Sequence, residues 1–303
     1  MPLKDWDIQI NYGIKTGFND AFIITTEKRD EILANCQTKE ERLRTTELIR
    51  PILRGRDIKR YGYEWANLYL IATFPARKYN IEQYPAVKHY LLSFAYDYLI
   101  DNNNELVAKN HLEEYCMKKL SQSGEYIIIN GKHVLDGNGN KEKGRKKTAN
   151  KWFETQDSIS YWDDFFKPKI VYMEIQTDNP DEGYPFPCYS YDKNNCITLN
   201  TAYIMSSDTI DVRYILGVLN SKLGKFLVKL YVTQLQARQF RMLAQYVQKF
   251  PIVYASNTEA QTMIELVQKA IDSNCSKTAN LIDELAYNLY GLSKDEIAFI
   301  ENR

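Results

Sequence analysis

Histidine is nearly absent from this chain: His89, His111 and His133 are the three in 303 residues. A hydrolase triad or a histidine-based metal site would have to be assembled from these. None lies near a G-x-S-x-G elbow or an H-E-x-x-H helix, and neither motif occurs. Cysteine offers no framework either. The five, Cys36, Cys116, Cys188, Cys196 and Cys275, are odd in number and contain no C-x-x-C pair. Neither a disulfide scaffold nor a zinc knuckle is indicated. Long apolar runs are missing, and Met1 to Asp7 mixes charge with tryptophan where a signal peptide would begin otherwise. The expectation is a soluble, cytoplasmic protein with no membrane partner.

Phosphate-cradling loops are missing too. The glycines from Gly137 to Gly144 are not closed by G-K-[ST] and lack the third position of a dinucleotide fingerprint. Adjacent carboxylates occur at Glu113-Glu114, Asp163-Asp164, Asp283-Glu284 and Asp295-Glu296. Sequence neighbours diverge on a helix and face opposite sides of a strand, so these suit solvated faces better than catalytic pairs. Asn179-Pro180 starts like an N-P-P-aromatic methyltransferase motif, but Asp181 replaces the second proline and the segment reads as a turn. No catalytic and no metal-binding residue is assigned.

What is present is charge, in balance. The chain has 39 basic and 39 acidic residues, 26% charged in all. Any preference for a polyanion must therefore come from where the charges sit. Three segments are locally basic. The first, Arg42 to Arg60, holds Arg54, Arg56, Lys59 and Arg60 around Gly55. Arginine there could bridge phosphates or guanine edges, and a solvated helix end fits as well. The second holds Lys141, Lys143, Arg145, Lys146, Lys147 and Lys151 against Glu142. It suits phosphate contact or plain solvation. The third, Val212 to Asn257, contains no acid at all but includes Arg213, Lys222, Lys225, Lys229, Arg238, Arg241 and Lys249, with five interspersed glutamines. A helix pair facing a polyanion explains it; helices packed on an acidic partner explain it too. Tyrosine is also abundant, 23 residues against 12 phenylalanines, which fits half-buried rings or a surface contacting bases and sugars.

At about 150 residues per domain, the length allows one large or two modest domains. Strands are expected at Gln9 to Tyr12, Ala21 to Thr25, Asn67 to Ala72, Tyr126 to Asn130 and Lys169 to Ile175, with a strand pair at Cys196 to Met205 joined around Asn200. Thr26 is expected to cap a helix to Asn35, followed by helices at Lys39 to Ile49, Ile81 to Ile100 and Glu105 to Leu120. Gly131 to Asn150 reads as loop. Beyond Asp208 helical periodicity takes over, at Asp211 to Asn220, Ser221 to Leu235, Ala237 to Lys249, Glu259 to Ile271 and Lys277 to Tyr290. Ser293 and Glu296 form a capping box for a last helix. The fold class expected is α+β: a mixed β-sheet body over residues 1–207, then a helical region over 208–303.

Several ordered blocks carry a family likeness. They are GIKTGFNDAFII (Gly13 to Ile24), ELIRPILRGRDIKRYGYEW (Glu47 to Trp65), YPAVKHYLLSF (Tyr84 to Phe94), KWFETQDSISYWDDFFKPKIVYMEI (Lys151 to Ile175), LNTAYIM, ILGVLNSKLGKFLV, the Gln248 to Ile252 helix-to-proline ending and the tail IDELAYNLYGLSKDEIAFIE. Together they span almost the whole chain. The chain resembles the TaqI-like C-terminal specificity domain, the target-recognition part of N6-adenine DNA methyltransferases and type IIG restriction–modification enzymes. The resemblance implies double-stranded DNA as partner, read beside a methyltransferase catalytic domain supplied in cis or in trans. S-adenosylmethionine and the flipped adenine would be held by that other domain, and this chain would not be an enzyme by itself. Candidate DNA contacts are Lys15, Thr16 and Asn19 in the first loop, Arg54, Arg56, Lys59 and Arg60 in the most distinctive block, Lys141, Lys143, Arg145, Lys146 and Lys147 in the basic loop, Trp152 and Gln156, and Arg238 and Arg241. A different class of function, a module docking a methyltransferase, nuclease or helicase domain, uses the same basic helices without DNA.

Overall fold

The computed structural model describes residues 1–101, 111–273 and 276–302. The start of the helix expected from Glu105 and the residue Cys275 lie outside them. Gln9–Tyr12 forms β1. The next strand is shorter than expected: Asn19–Phe22 makes one helical turn, α1, and only Ile23–Thr25 extends as β2. Ala21 and Phe22 are fully buried, so packing overrides strand propensity there. Thr25, one residue earlier than expected, caps α2 (Thr26–Ala34), its hydroxyl accepting from Lys28 N at 3.3 Å. Helix α3 (Lys39–Leu48) runs straight into β3 (Ile49–Leu53), and β4 is Leu68–Ile71. Ile81–Gln83 is a separate 3-10 turn before α4 (Pro85–Asp101), because a residue preceding proline is pushed out of the α region. Helix α5 is Leu112–Leu120. A small hairpin pairs β5 (Ile128–Ile129), inside the expected strand, with β6 (Lys132–His133), which falls within the segment expected to be loop.

Strands β7 (Lys169–Met173), β8 (Ile175–Thr177), β9 (Tyr189–Asp192), β10 (Ile197–Thr198) and β11 (Ala202–Ser206) follow. The two strands flanking Asn200 do not pair with each other. Ile197 and Thr198 lie parallel to Ile52 and Leu53, whereas β11 lies antiparallel to both β1 and β7. Beyond residue 208 come α6 (Val212–Asn220) and α7 (Lys222–Tyr231). The helix expected from Ala237 to Lys249 is absent. Ala237 and Arg238 turn left-handed, with φ of 56° and 60°, and the chain continues as β12 (Gln239–Arg241) and a short α8 (Ala244–Val247). Then α9 (Asn257–Ser273), α10 (Ser276–Leu289) and α11 (Lys294–Glu301) close the described chain. Ser293 Oγ accepts from Glu296 N at 3.3 Å, and the Glu296 carboxylate accepts from Ser293 N at 2.8 Å, the expected capping box.

Contacts divide the chain along another line than the change of periodicity at residue 208. One unit comprises Met1–Gly13, Ile52–Ala66 and Tyr161–Arg303; the other comprises Ile14–Pro51 and Asn67–Ser160. The first unit holds an antiparallel sheet in the order β1-β11-β7-β9. Ile170, Tyr172, Tyr189 and Met205 from that sheet share one apolar core with Ile215, Leu219, Val267 and Ile282 from the helices. Gly217 sits where α6 meets α9: a Cβ there would lie 2.4 Å from Met263 Sδ, so a larger residue would have to push the buried Met263 side chain aside. The second unit pairs β2 with β4, and β4 with Ile49–Pro51, all antiparallel. It also contains a small core of Tyr115, Cys116, Ile127, Ile129 and Val134.

Each unit hides a charge. In the first, Lys169 and Asp192 are both 0% exposed and form an ion pair. Lys169 Nζ also donates to Phe165 O at 2.7 Å, and Asp192 accepts from Tyr63 OH (2.9 Å), Asn194 N (2.9 Å) and Cys196 N (3.0 Å). In the second, Arg145 is buried. Its guanidinium donates to Trp152 O (3.2 Å), Glu154 O (2.9 Å) and Thr16 O (2.6 Å) and lies 4.8 Å from the Phe22 ring centroid. Burial pushes its pKa down to about 10, so it is still charged at neutral pH. Asp192→Ala is expected to destabilise the protein by about 3–5 kcal/mol by stranding a buried ammonium. Arg145→Ala, which frees two buried carbonyls and one part-buried one, should cost about 2–4 kcal/mol. Denaturant unfolding measures both; a change under 1 kcal/mol in either would rule out its structural role.

Candidate nucleic-acid interface

Within the first unit, residues far apart in sequence line one cleft of about 550 Å³. One wall is Arg54, Gly55 and Arg56; the other runs through Glu174, Ile175, Gln176 and Thr177 to Tyr184 and Gln239. Gly55 N donates to Thr201 Oγ1 at 3.1 Å, which pins the arginine-bearing turn to the loop before β11. The four arginines and lysines of that turn divide by role. Arg54 clasps Asp57 with Nε at 3.0 Å and Nη2 at 2.7 Å, a bidentate geometry that shapes the turn. Arg60 points inward and donates to the Asn220 carbonyl. Lys59 pairs with Glu64 at 3.4 Å and lies 5.5 Å from the Tyr184 ring centroid. Arg56 is exposed at the cleft edge.

Beside the cleft, β12 pairs antiparallel with β8, Gln239 opposite Thr177 and Arg241 opposite Ile175. Directly after β8, Asp178 gathers three cations: Lys229 at 2.6 Å, Lys225 at 3.1 Å and Arg238 at 3.2 Å. Lys225 and Lys229 reach it together because an i, i+4 pair shares one helix face. Burial would raise the Asp178 pKa, but the hydrogen bonds from Lys229, Lys225 and Arg238 outweigh it and hold it below the usual aspartate value. The cluster therefore keeps its charge throughout neutral pH and loosens only as pH falls below that range. Three cations against one carboxylate leave a local positive excess. Arg241 is half-exposed and pairs with Glu174 at 2.9 Å. Lys225, Lys229 and Gln239 belong to the acid-free segment, but the sequence does not separate them from its other cations and glutamines. The i, i+4 lysine spacing was the available signal; nothing in the sequence pointed to Asp178 as their common acceptor.

The remaining candidates lie in the second unit. Two of them are interior. Thr16 is 1% exposed, its hydroxyl donating to Asn19 Oδ1 at 2.6 Å and accepting from Phe18 N at 3.1 Å. Arg145 is the buried strut already described, so its charge serves the loop and not the surface. Lys15 and Asn19 are exposed, and Lys15 N donates to Asp157 at 2.9 Å. Gly17 adopts a φ of +74°, and a Cβ there would lie 2.9 Å from Gln156, which explains a glycine in this loop. Gln156 and Trp152 are half-buried; Gln156 N donates to Thr16 O at 3.1 Å, and Trp152 packs edge-on against Phe153. Lys141 and Lys143 flank the Tyr126 ring at 5.9 Å and 4.4 Å, and Lys146 and Lys147 are exposed.

Burial pushes the thiols of Cys188 and Cys196 up to about 12, so both are neutral and poor nucleophiles. Among the described residues no group of three His, Cys, Asp or Glu could hold a metal, and no helix is long and apolar enough to cross a membrane.

Residues 50–252 match the TaqI-like C-terminal specificity domain family. The type II methyltransferase M.BstVI of Geobacillus stearothermophilus is 21% identical over 310 residues, covering 99% of this chain and 43% of its own length. The type IIL restriction–modification enzyme MmeI, solved in complex with DNA, is similar with a TM-score of 0.56 at 14% identity, over 100% of this chain and 36% of its own. The type IIG restriction endonuclease BpuSI gives a TM-score of 0.49 at 10% identity, over 96% and 31% respectively. The chain thus spans less than half the length of each of these relatives. It belongs to the TaqI-like C-terminal specificity domain family, the specificity domains of restriction–modification enzymes.

Proposed function

We propose that this chain reads the sequence of duplex DNA for an adenine-specific methyltransferase or restriction–modification enzyme, and that it carries no catalytic centre of its own. The methyltransferase domain, in the same polypeptide or a partner, would bind S-adenosylmethionine and the extruded adenine. The observation that carries this reading is the convergence in the first unit. Arg56, Lys225, Lys229, Arg238 and Arg241 come from separate chain segments, yet Arg56 borders the cleft and the others gather along β8, β12 and Asp178. In a chain of zero formal net charge, that is a one-sided attraction for a polyanion. Family membership and the DNA complex of MmeI support the same reading.

A pool of randomised duplexes, presented at low and moderate salt, should yield a short enriched motif. Binding that is salt-sensitive but motif-free would reduce the role to positioning, and no binding even at low salt would favour docking of another protein domain. Replacing Lys225 and Lys229 together by glutamine should weaken binding to all sequences alike. The slope of log K against log salt should become shallower by about two, one per lost phosphate contact. An unchanged slope would remove these lysines from the interface.

A further inference from the structure

One exposed irregular feature of the first unit is the hairpin that leads into β12. Thr233 to Arg238 are six consecutive exposed residues, and Leu235 among them is 39% exposed. A floppy loop would leave such residues unanchored, yet this one is held on every side. Leu235 N donates to Gln239 O at 2.7 Å and Arg241 N to Thr233 O at 3.2 Å, closing the ribbon. Asp178 N donates to Arg238 O at 3.0 Å, and the Asp178 carboxylate takes Arg238 Nη2 at 3.2 Å. At the tip, Ala237 and Arg238 both hold left-handed backbone, a conformation that glycine adopts freely and residues with a Cβ resist. Strain kept in place at a solvent-exposed tip by surrounding hydrogen bonds is a mark of functional sites.

We propose that this hairpin tip is the base-reading element of the domain, with Gln236 and Arg238 contacting base edges while Lys225 and Lys229 at its root seat it on phosphate. The proposal rests on the DNA-recognition reading above and assigns roles within it. A two-stranded ribbon fits the major groove, where glutamine matches adenine and arginine matches guanine through paired hydrogen bonds. Arg238 is 57% exposed and shares Asp178 with two lysines, so its guanidinium is aimed without being consumed by its partner. Lys225 and Lys229 are 35% and 24% exposed and lie against that same carboxylate, deeper than the tip, where a compact charge suits a phosphate.

The test compares the wild-type chain with Gln236→Ala, Arg238→Ala and Arg238→Lys. The motif enriched by the wild-type chain is varied one base pair at a time, and binding of each variant is measured by competition. Each alanine substitution is expected to lose about tenfold discrimination at one or two adjacent positions and to keep it elsewhere. Arg238→Lys should not restore it, because an ammonium cannot make the paired contact. Unfolding midpoints should move little, since Gln236 is exposed and the Arg238–Asp178 pair is a surface one, of the kind that contributes little to stability. Discrimination unchanged at every position would overturn the assignment. So would uniform weakening with a salt slope shallower by about one, the signature of a phosphate contact. A wild-type chain that enriches no motif at all would sink the DNA-reading function itself and the hairpin assignment with it, an outcome distinct from the other two.

Discussion

The buried pair of Lys169 and Asp192 is the constraint on which the cleft and the basic hairpin depend. Opposite charges with no solvent access are stable only when every remaining donor and acceptor is met. Here Asp192 gathers Tyr63, Asn194 and Cys196 besides the lysine, and Lys169 reaches back to the Phe165 carbonyl. That arrangement ties the end of the Arg54–Trp65 segment to β7 and β9 at once. Strand β7 continues through Glu174 into β8, and β8 carries β12. The cleft walls and the basic hairpin therefore hang from the strands that this pair locks.

Neutral composition conceals a spatial separation of charge. The acid-free run from Val212 to Asn257 finds its counter-ions outside itself: Asp178 for Lys225, Lys229 and Arg238, Glu174 for Arg241, Asp211 for Arg213 and Glu301 for Lys222. Asp178 alone faces three cations where the hairpin stands, whereas Glu174, Asp211 and Glu301 each face one. Arg145 shows the opposite use of a cation. It belongs to the most basic stretch of the sequence, yet it is folded inward to satisfy backbone carbonyls. Tyrosine divides in the same manner: Tyr115, Tyr172 and Tyr189 are fully buried core, whereas Tyr184 and Tyr126 stand beside surface lysines.

Much of the fold was legible because local signals agreed with the final packing. The Ser293–Glu296 capping box, the apolar periodicity of α6, α9 and α10 and the run KIVYM (Lys169–Met173) each specify one element, although the strand expected to reach Ile175 breaks at Glu174. The departures occur where distant contacts decide. Residues 237–249 have helical composition, but pairing of β12 with Ile175–Thr177 and the left-handed turn at Ala237 and Arg238 divert them. Cys196 to Met205 reads as a hairpin, but its two strands find separate partners. The family blocks and the basic segments mark the same stretches of chain that line the cleft and the basic hairpin. They could not separate Arg56, at the cleft edge, from Arg54 and Arg60, which are spent on Asp57 and the Asn220 carbonyl. Charge is visible in a sequence; its direction is set by backbone that comes together only in three dimensions.

The interleaving of the two units bears on how the molecule is made. The second unit is complete once residue 160 has been synthesised, but the first is not. Its opening strand, Gln9–Tyr12, pairs with Ala202–Ser206, and its helical core needs residues from Val212 to Ile300. Such long separations in sequence slow folding, because loop closure must be achieved before the contacts can reward it. During synthesis the second unit can therefore mature while the N-terminal strand stays unpaired, exposed to other sheet edges or to helper proteins. Within this unit, the strand made earliest is among the last to find its partner.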